Sequence, residues 1–249
     1  MKRFGLLGRT LSHSFSKKYF SEKFEKAGLT DHVFELFEIP VIGDFPSLIK
    51  EKFPIAGMNV TIPYKEQVIP YLNSLDTSAS KVGAVNVIKF LPNGELVGYN
   101  SDFYGFKMSL QNFATSVNFQ LAGSKALILG TGGAAKAVQA ALTELNIPFK
   151  VVSREQSKAD LTYSELNESI INEFKLIINS SPLGTFPKVE ECPDIPYQFL
   201  TGKHLLHDLV YNPEITMFMQ KGKEKGAAVK NGLEMLHLQA ERAWEIWNS

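Results

Sequence analysis

At 249 residues, 44% hydrophobic and 21% charged, the chain is long enough to bury one large core or two modest ones. Its 26 basic and 26 acidic residues cancel, so no overall field gathers nucleic acid or an anionic membrane, and any anion must be bound locally. The single cysteine, Cys192, excludes an internal disulfide and a cysteine-rich metal site; it reads as an inert thiol in a reducing compartment, the cytoplasm.

The start, Met1 to Gly8, resembles a leader for a few residues, but Ser12, His13 and Ser14 interrupt any apolar core of one, and no run is long enough to span a bilayer. Phe4 to Leu7 therefore reads as a first strand, followed by a helical stripe of Phe20, Phe24 and Ala27 that stops at Gly28. The α/β alternation continues with a strand at His32 to Ile39, a short helix at Phe45 to Lys50 and a strand at Ile55 to Val60. A helix is expected over Tyr64 to Leu72, opened by Pro63. Val85 to Phe90 and Glu95 to Tyr99 read as strands joined by the hairpin signal Pro92-Asn93-Gly94. In the helix from Asp102 to Phe113, Phe103, Phe106, Leu110 and Phe113 share one face.

Lys125 to Arg154 organises the rest. Ala126-Leu127-Ile128-Leu129 is continuously apolar, as suits a strand buried on both faces of a parallel sheet. Gly130, Gly132 and Ala135 fit G-x-G-x-x-G/A, in which small residues permit a tight turn, close approach to a pyrophosphate and close helix-on-strand packing. The following helix, through Ala137, Val138, Ala140, Ala141 and Leu145, would offer its N-terminus to phosphates. A second strand, Phe149 to Val152, leads to Ser153-Arg154 where dinucleotide folds place their ribose selector; a guanidinium there suits a 2′-phosphate and favours NADP over NAD. A helix near Glu165 to Ile171, a strand at Leu176 to Asn179, a loop at Ser180 to Gly184, a strand at Leu205 to Val210, a helix at Ile215 to Lys225 and a short strand at Ala227 to Val229 follow. The last helix, Leu233 to Trp247, carries the stripe Leu236, Ala240, Ala243, Trp244 and Trp247, which needs a partner surface. No His, Cys or carboxylate cluster suggests a metal site.

Read together, His13-Ser14-Phe15-Ser16, Asn59 to Glu66 (NVTIPYKE), Gly83 to Ile88 (GAVNVI), Gly98 to Asp102 (GYNSD), the glycine turn, Asn179 to Gly184 (NSSPLG), Asp208 to Pro213 (DLVYNP) and Gly232 to Gln239 resemble the shikimate and quinate dehydrogenase family over nearly the whole chain. The resemblance implies an α/β fold in two domains. Residues 1–104 would form a substrate domain with a mostly parallel sheet, 105–232 a Rossmann-type doubly wound NADP domain, and 233–249 a helix returning to the first domain. It implies reversible, NADPH-dependent reduction of 3-dehydroshikimate to shikimate, on the route to chorismate and the aromatic amino acids, by a monomer or homodimer. Substrate contacts are expected from Ser14, Ser16, Asn59, Thr61, Asn86, Tyr211 and Gln239, and cofactor contacts from Gly130, Gly132, Gly133, Ala134, Ser153, Arg154, Ser181, Leu209 and Gly232.

Lys65 and Asp102 match the family's catalytic pair. Chemistry supports that role, because hydride addition to a ketone develops an alkoxide, which a positioned cation able to donate a proton both stabilises and quenches. Asp102 is expected to keep Lys65 charged and oriented. Taken singly, Lys65 reads as a solvated charge, Asp102 as a helix cap, Ser14 and Ser16 as loop or capping residues, and the asparagines as turn residues. The chain departs from the family pattern at Lys17, Phe20-Ser21, Thr185 and Glu155, the last beside the selector, where a carboxylate pointing inward would repel a 2′-phosphate. Two alternatives stay open: an NAD-dependent quinate enzyme, and a nucleotide sensor without turnover on the same fold.

Overall fold

The computed structural model describes residues 1–11 and 14–249. They form two compact units, Met1–Ser101 with Ala240–Ser249, and Asp102–Gln239.

The first unit opens with β1 (Lys2–Gly8), α1 (Phe15–Lys26), β2 (His32–Glu38), α2 (Phe45–Lys52) and β3 (Gly57–Val60). After these come α3 (Tyr64–Gln67), β4 (Ser74–Leu75), α4 (Thr77–Val82), β5 (Val87–Phe90) and β6 (Leu96–Tyr99). The sheet order is β2-β1-β3-β5-β6-β4. β1 runs parallel to β2 and β3, and β4 parallel to β6, while the β5 to β6 hairpin makes the antiparallel pairs. Gly94, at φ +88°, closes that hairpin as its sequence predicts. On one face of the sheet Phe20 and Phe24 of α1 pack with Phe4, Phe34 and, from the end of the chain, Ala240, Ala243, Ile246 and Trp247. The apolar stripe of the last helix thus finds its partner, and the Trp247 indole N–H donates to the Ile88 carbonyl at 3.1 Å. Gly57 makes room for that ring, since a Cβ on it would lie 2.3 Å from Trp247 Cδ1.

The expected helix over Tyr64 to Leu72 is broken. α3 ends at Gln67, and a separate 3-10 turn covers Ile69–Tyr71, because Pro70 has no N–H for the Glu66 carbonyl and cannot sit in a helix interior. β4 and α4 are elements the hydrophobic pattern did not reveal; their signal is capping, with the Asp76 carboxylate accepting from Ser78 N and Ala79 N and Gly83 ending α4 at φ +69°.

The second unit contains most of α5 (Ser101–Ser116), then β7 (Ala126–Leu129), α6 (Gly133–Glu144), β8 (Phe149–Ser153), β9 (Leu161–Thr162) and α7 (Glu168–Glu173). It continues with β10 (Leu176–Asn179), β11 (Leu205–Asp208), α8 (Met217–Glu224), β12 (Ala228–Lys230) and the start of α9 (Leu233–Asn248). Every pair of neighbours in its sheet is parallel. Its order, β12-β11-β10-β7-β8-β9, is the doubly wound 3-2-1-4-5-6 order counted from β7, so the sheet is of the Rossmann type. β7 and β10 are fully buried, as continuous apolar runs demand. Gly105 lets α5 approach α9, a Cβ there falling 2.8 Å from the Met235 carbonyl. Among the described residues no helix is long and apolar enough to cross a membrane.

Candidate active site

In a doubly wound sheet the ligand crevice opens where the winding reverses, here between β7 and β10. The chain builds a cleft there. Gly130 leaves β7 at φ +114°, a conformation L side chains rarely adopt, and a Cβ on it would press within 3.2 Å of Ser180 Oγ and Ser181 N. Gly132 then caps α6 with no side chain, and a Cβ on Gly132 or Gly133 would meet nothing within 4 Å. The space beside the N-terminus of a twelve-residue helix is thus open, as suits a site for a phosphate. Ala135, fully buried, is the third small residue of the turn and sets the helix against the sheet.

The cleft is about 250 Å³ and is lined by Gly130, Thr131, Gly132, Ser153, Arg154, Tyr163, Ser180, Ser181, Pro182 and Leu183. Five of the predicted cofactor residues, Gly130, Gly132, Ser153, Arg154 and Ser181, are therefore brought together. Gly133 and Ala134 form the first turn of α6 behind them. Leu209 and Gly232 are not in this lining but abut each other, a Cβ on Gly232 falling 2.1 Å from the Leu209 carbonyl oxygen. The Glu155 carboxylate sits 2.7 Å from Lys158 Nζ, and that hydrogen bond, with Lys158's charge, holds its pKa below the usual carboxylate range. The selector's lone acid is thus paired with a cation of its own loop. Tyr163 is a cleft residue the apolar periodicity did not single out. The legible signal was the capping box Thr162 to Glu165, whose side chains hold the 3-10 turn that carries it. Burial raises the phenol's pKa, against the lowering influence of Arg154.

In the first unit, three polar residues, two of them predicted, form one buried group. Asn59 lies in β3, next to its last residue, and its Nδ2 donates to the Asn86 carbonyl at 3.3 Å. Asn86 precedes β5; its Oδ1 accepts from Ser101 N at 2.7 Å and its Nδ2 donates to Ser101 Oγ at 3.1 Å. Asn59 Oδ1 is buried without a hydrogen-bond partner among the described residues. A buried acceptor left open costs about 1–3 kcal/mol, so this atom is poised for a donor that no described residue supplies, as a ligand hydroxyl would be. Thr61 follows β3, tied by its N–H to the Leu7 carbonyl at 2.9 Å.

Ser14 caps α1, its Oγ accepting from Lys17 N at 3.2 Å, and Ser16 sits in that helix's first turn, where an anion is favoured. His13, in the motif that suggested both serines, lies outside the described residues. The departures beside them serve the core: Lys17 Nζ donates to the Phe34 carbonyl, and Phe20 stacks on Phe34 at 4.8 Å. Lys65 occupies α3, partly exposed, its carbonyl accepting from Val85 N at 2.7 Å. In the second unit Asp102 lies in the first turn of α5 rather than at its cap, a position where the helix dipole favours a carboxylate. Tyr211 follows β11 with 40% of its surface exposed, and Gln239 is buried on α9 with its Nε2 donating to the Leu236 carbonyl at 2.9 Å.

Comparison with known proteins agrees with this architecture. The model of the shikimate dehydrogenase substrate binding domain matches residues 6–88. The NADP(+) shikimate dehydrogenase of Clostridium beijerinckii is 38% identical over 99% of this chain and 92% of its own length. That of Desulforamulus reducens is 35% identical over 98% and 88%. Among solved structures, the Thermus thermophilus shikimate 5-dehydrogenase in complex with NADP(H) and shikimate superposes with a TM-score of 0.84 at 29% identity, over 99% of this chain and 93% of that one. With relatives above 30% identity over essentially its full length, the chain belongs to the shikimate dehydrogenase family.

Proposed function

We propose that this protein catalyses the NADPH-dependent, reversible reduction of 3-dehydroshikimate to shikimate, with residues 1–104 and the last helix as the substrate domain and the middle as the cofactor domain. The observation that carries the reading is the cleft at the β7 to β10 reversal, where an open helix N-terminus and the exposed Arg154 side chain occur together in a member of this family. The fit to a dinucleotide rests on this chain's own geometry. Gly132 and Gly133 leave clear space above α6 for a diphosphate, and Arg154 offers its fork to a 2′-phosphate. Bound NADPH supplies the hydride.

The protein's residues do the rest. Ser14 and Ser16, at the N-terminus of α1, hold the substrate carboxylate; Asn59, Thr61 and Asn86, with Tyr211 and Gln239, take its hydroxyls, the open Asn59 Oδ1 accepting one of them. Lys65 donates to the ketone oxygen as its charge grows and delivers a proton to it, and Asp102 orients that ammonium. A single cysteine, Cys192, which can form no disulfide within the chain, favours the cytoplasm as the compartment.

The test follows absorbance at 340 nm while the purified protein oxidises shikimate or quinate, each with NADP or NAD. Turnover of shikimate with NADP is expected. Preference for NAD would refute the role given to Arg154, turnover of quinate alone would assign the quinate reaction, and cofactor binding with no turnover would make the protein a sensor.

A further inference from the structure

We propose that Asp208 is a positioning residue for the cofactor: through Asn179 it holds the Ser180 to Gly184 loop in the shape that lines the dinucleotide cleft. The proposal rests on the cofactor reading above.

Asp208 ends β11, is fully buried and has no ion-pair partner among the described residues. Three donors surround it: Asn179 Nδ2 at 2.9 Å and Val210 N at 3.0 Å on Oδ1, and Thr216 Oγ1 at 2.5 Å on Oδ2. Burial pushes the carboxyl up to about 6 in spite of these bonds. The Asp208 charge also acts on the half-buried Tyr197 phenol. A carboxylate without a cation is a costly core residue, so its placement calls for a geometric reason.

Asn179 gives that reason. Its Oδ1 accepts from Ser181 N at 3.0 Å and from Ser181 Oγ at 2.6 Å, and the Ser181 hydroxyl accepts in turn from Leu183 N at 3.4 Å. Ser181 and Leu183 line the cleft. Ser181 N can only donate, so the loop keeps this shape only while Asn179 turns its oxygen toward it. An ionised carboxylate can only accept, so Asp208 compels Asn179 to turn its NH₂ the other way. The Asp208 acceptor oxygen therefore fixes which end of one amide faces the cofactor loop. Without it only the long 3.5 Å bond from Asn179 Nδ2 to the Leu183 carbonyl opposes a flip that sets NH₂ against N–H and displaces Ser181 from the cleft wall.

Fluorescence titration with NADPH, together with separate KM values for NADP and shikimate, tests this. Asp208→Ala is expected to weaken NADPH binding at least about tenfold and to raise KM for NADP in step, with KM for shikimate within about twofold of wild type. Asp208→Asn, which can still present an oxygen to Asn179, is expected to recover binding to within about threefold. Asn179→Ala should match Asp208→Ala, and the double variant should be no weaker than either, since both break one link. If Asp208→Ala does not fold, Thr216→Val replaces it, with a weakening of about threefold expected. Unchanged NADPH affinity in the folded variant, with only its melting temperature lowered, would overturn the proposal while leaving the cofactor reading intact. A wild-type protein that does not bind NADPH would overturn both.

Discussion

His207 makes the acid stability of the second unit predictable in sign and size. It is wholly buried on β11, its ring stacked on Phe106 at 5.3 Å and edge-on to Phe113 at 6.0 Å. Nδ1 has no partner among the described residues, and Nε2 lies 3.5 Å from Ser109 Oγ. Burial, and then the Lys230 charge, depress its pKa from 6.5 to about 3, with Glu234 opposing. The folded value lies below the unfolded one, so this neutral imidazole's contribution is complete above pH 6.5 and is lost as pH falls toward 3. At about 1.36 kcal/mol per pH unit the loss between about pH 7 and pH 5 is about 2 kcal/mol. Asp208, next in sequence, acts oppositely. Its folded value of about 6 lies above its ordinary value of 3.8, so stability is gained as pH falls through 6. Over the same interval that returns about 1.3 kcal/mol, leaving a net loss of roughly 0.7 kcal/mol in the wild type.

Replacing His207 by leucine removes one of these contributions and leaves the other, while keeping an apolar side chain of similar volume between Phe106 and Phe113. Urea denaturation followed by far-ultraviolet circular dichroism at about pH 7, 6 and 5 is the assay. The wild type should lose a little stability across this range and His207→Leu should gain about 1.3 kcal/mol, so that the two curves diverge by about 2 kcal/mol. Parallel curves would show that the imidazole is not held neutral, and would refute the argument from burial.

Gly57→Ala sets a Cβ against the Trp247 ring and should cost about 1–3 kcal/mol, read as a lower melting temperature and a red-shifted tryptophan emission. Gly130→Ala forces a side chain into φ +114° against Ser180 and Ser181; NADPH titration should show affinity lost by roughly tenfold or more, with shikimate affinity retained. Lys65→Ala should lower kcat by about 10²–10⁴ with a much smaller change in KM, as befits a group acting in the transition state; an unchanged kcat would remove it from the mechanism. Arg154→Ala should raise KM for NADP by about tenfold and leave KM for NAD unchanged, which steady-state rates with the two cofactors will show.

Much of this protein is legible in its sequence, for reasons that are local. Ala126 to Leu129 can be a buried parallel strand because four successive apolar residues leave no face for water, and Gly130-Thr131-Gly132 must turn because only glycine accepts φ +114° next to Ser180. Ser153-Arg154 falls at the cleft because a strand of that length ends there. Family motifs are what nominate Asn59, Asn86 and Lys65, whose types alone read as turn and surface residues. Other features depended on partners distant in the chain. Neither β4 nor β9, two residues each, carries periodicity; each is a strand only because β6 or β8 offers it an edge. Tyr163 enters the cleft because a capping box outside any apolar pattern sets its turn. His207 and Asp208 alternate along one strand, yet whether each is charged, and what each holds, is decided by Phe106, Lys230, Asn179 and Thr216. Periodicity and turn chemistry act between neighbours and are written in the order of residues, whereas desolvation and hydrogen bonding in the core depend on what the fold brings to each side chain, and exist only once the chain has closed around it.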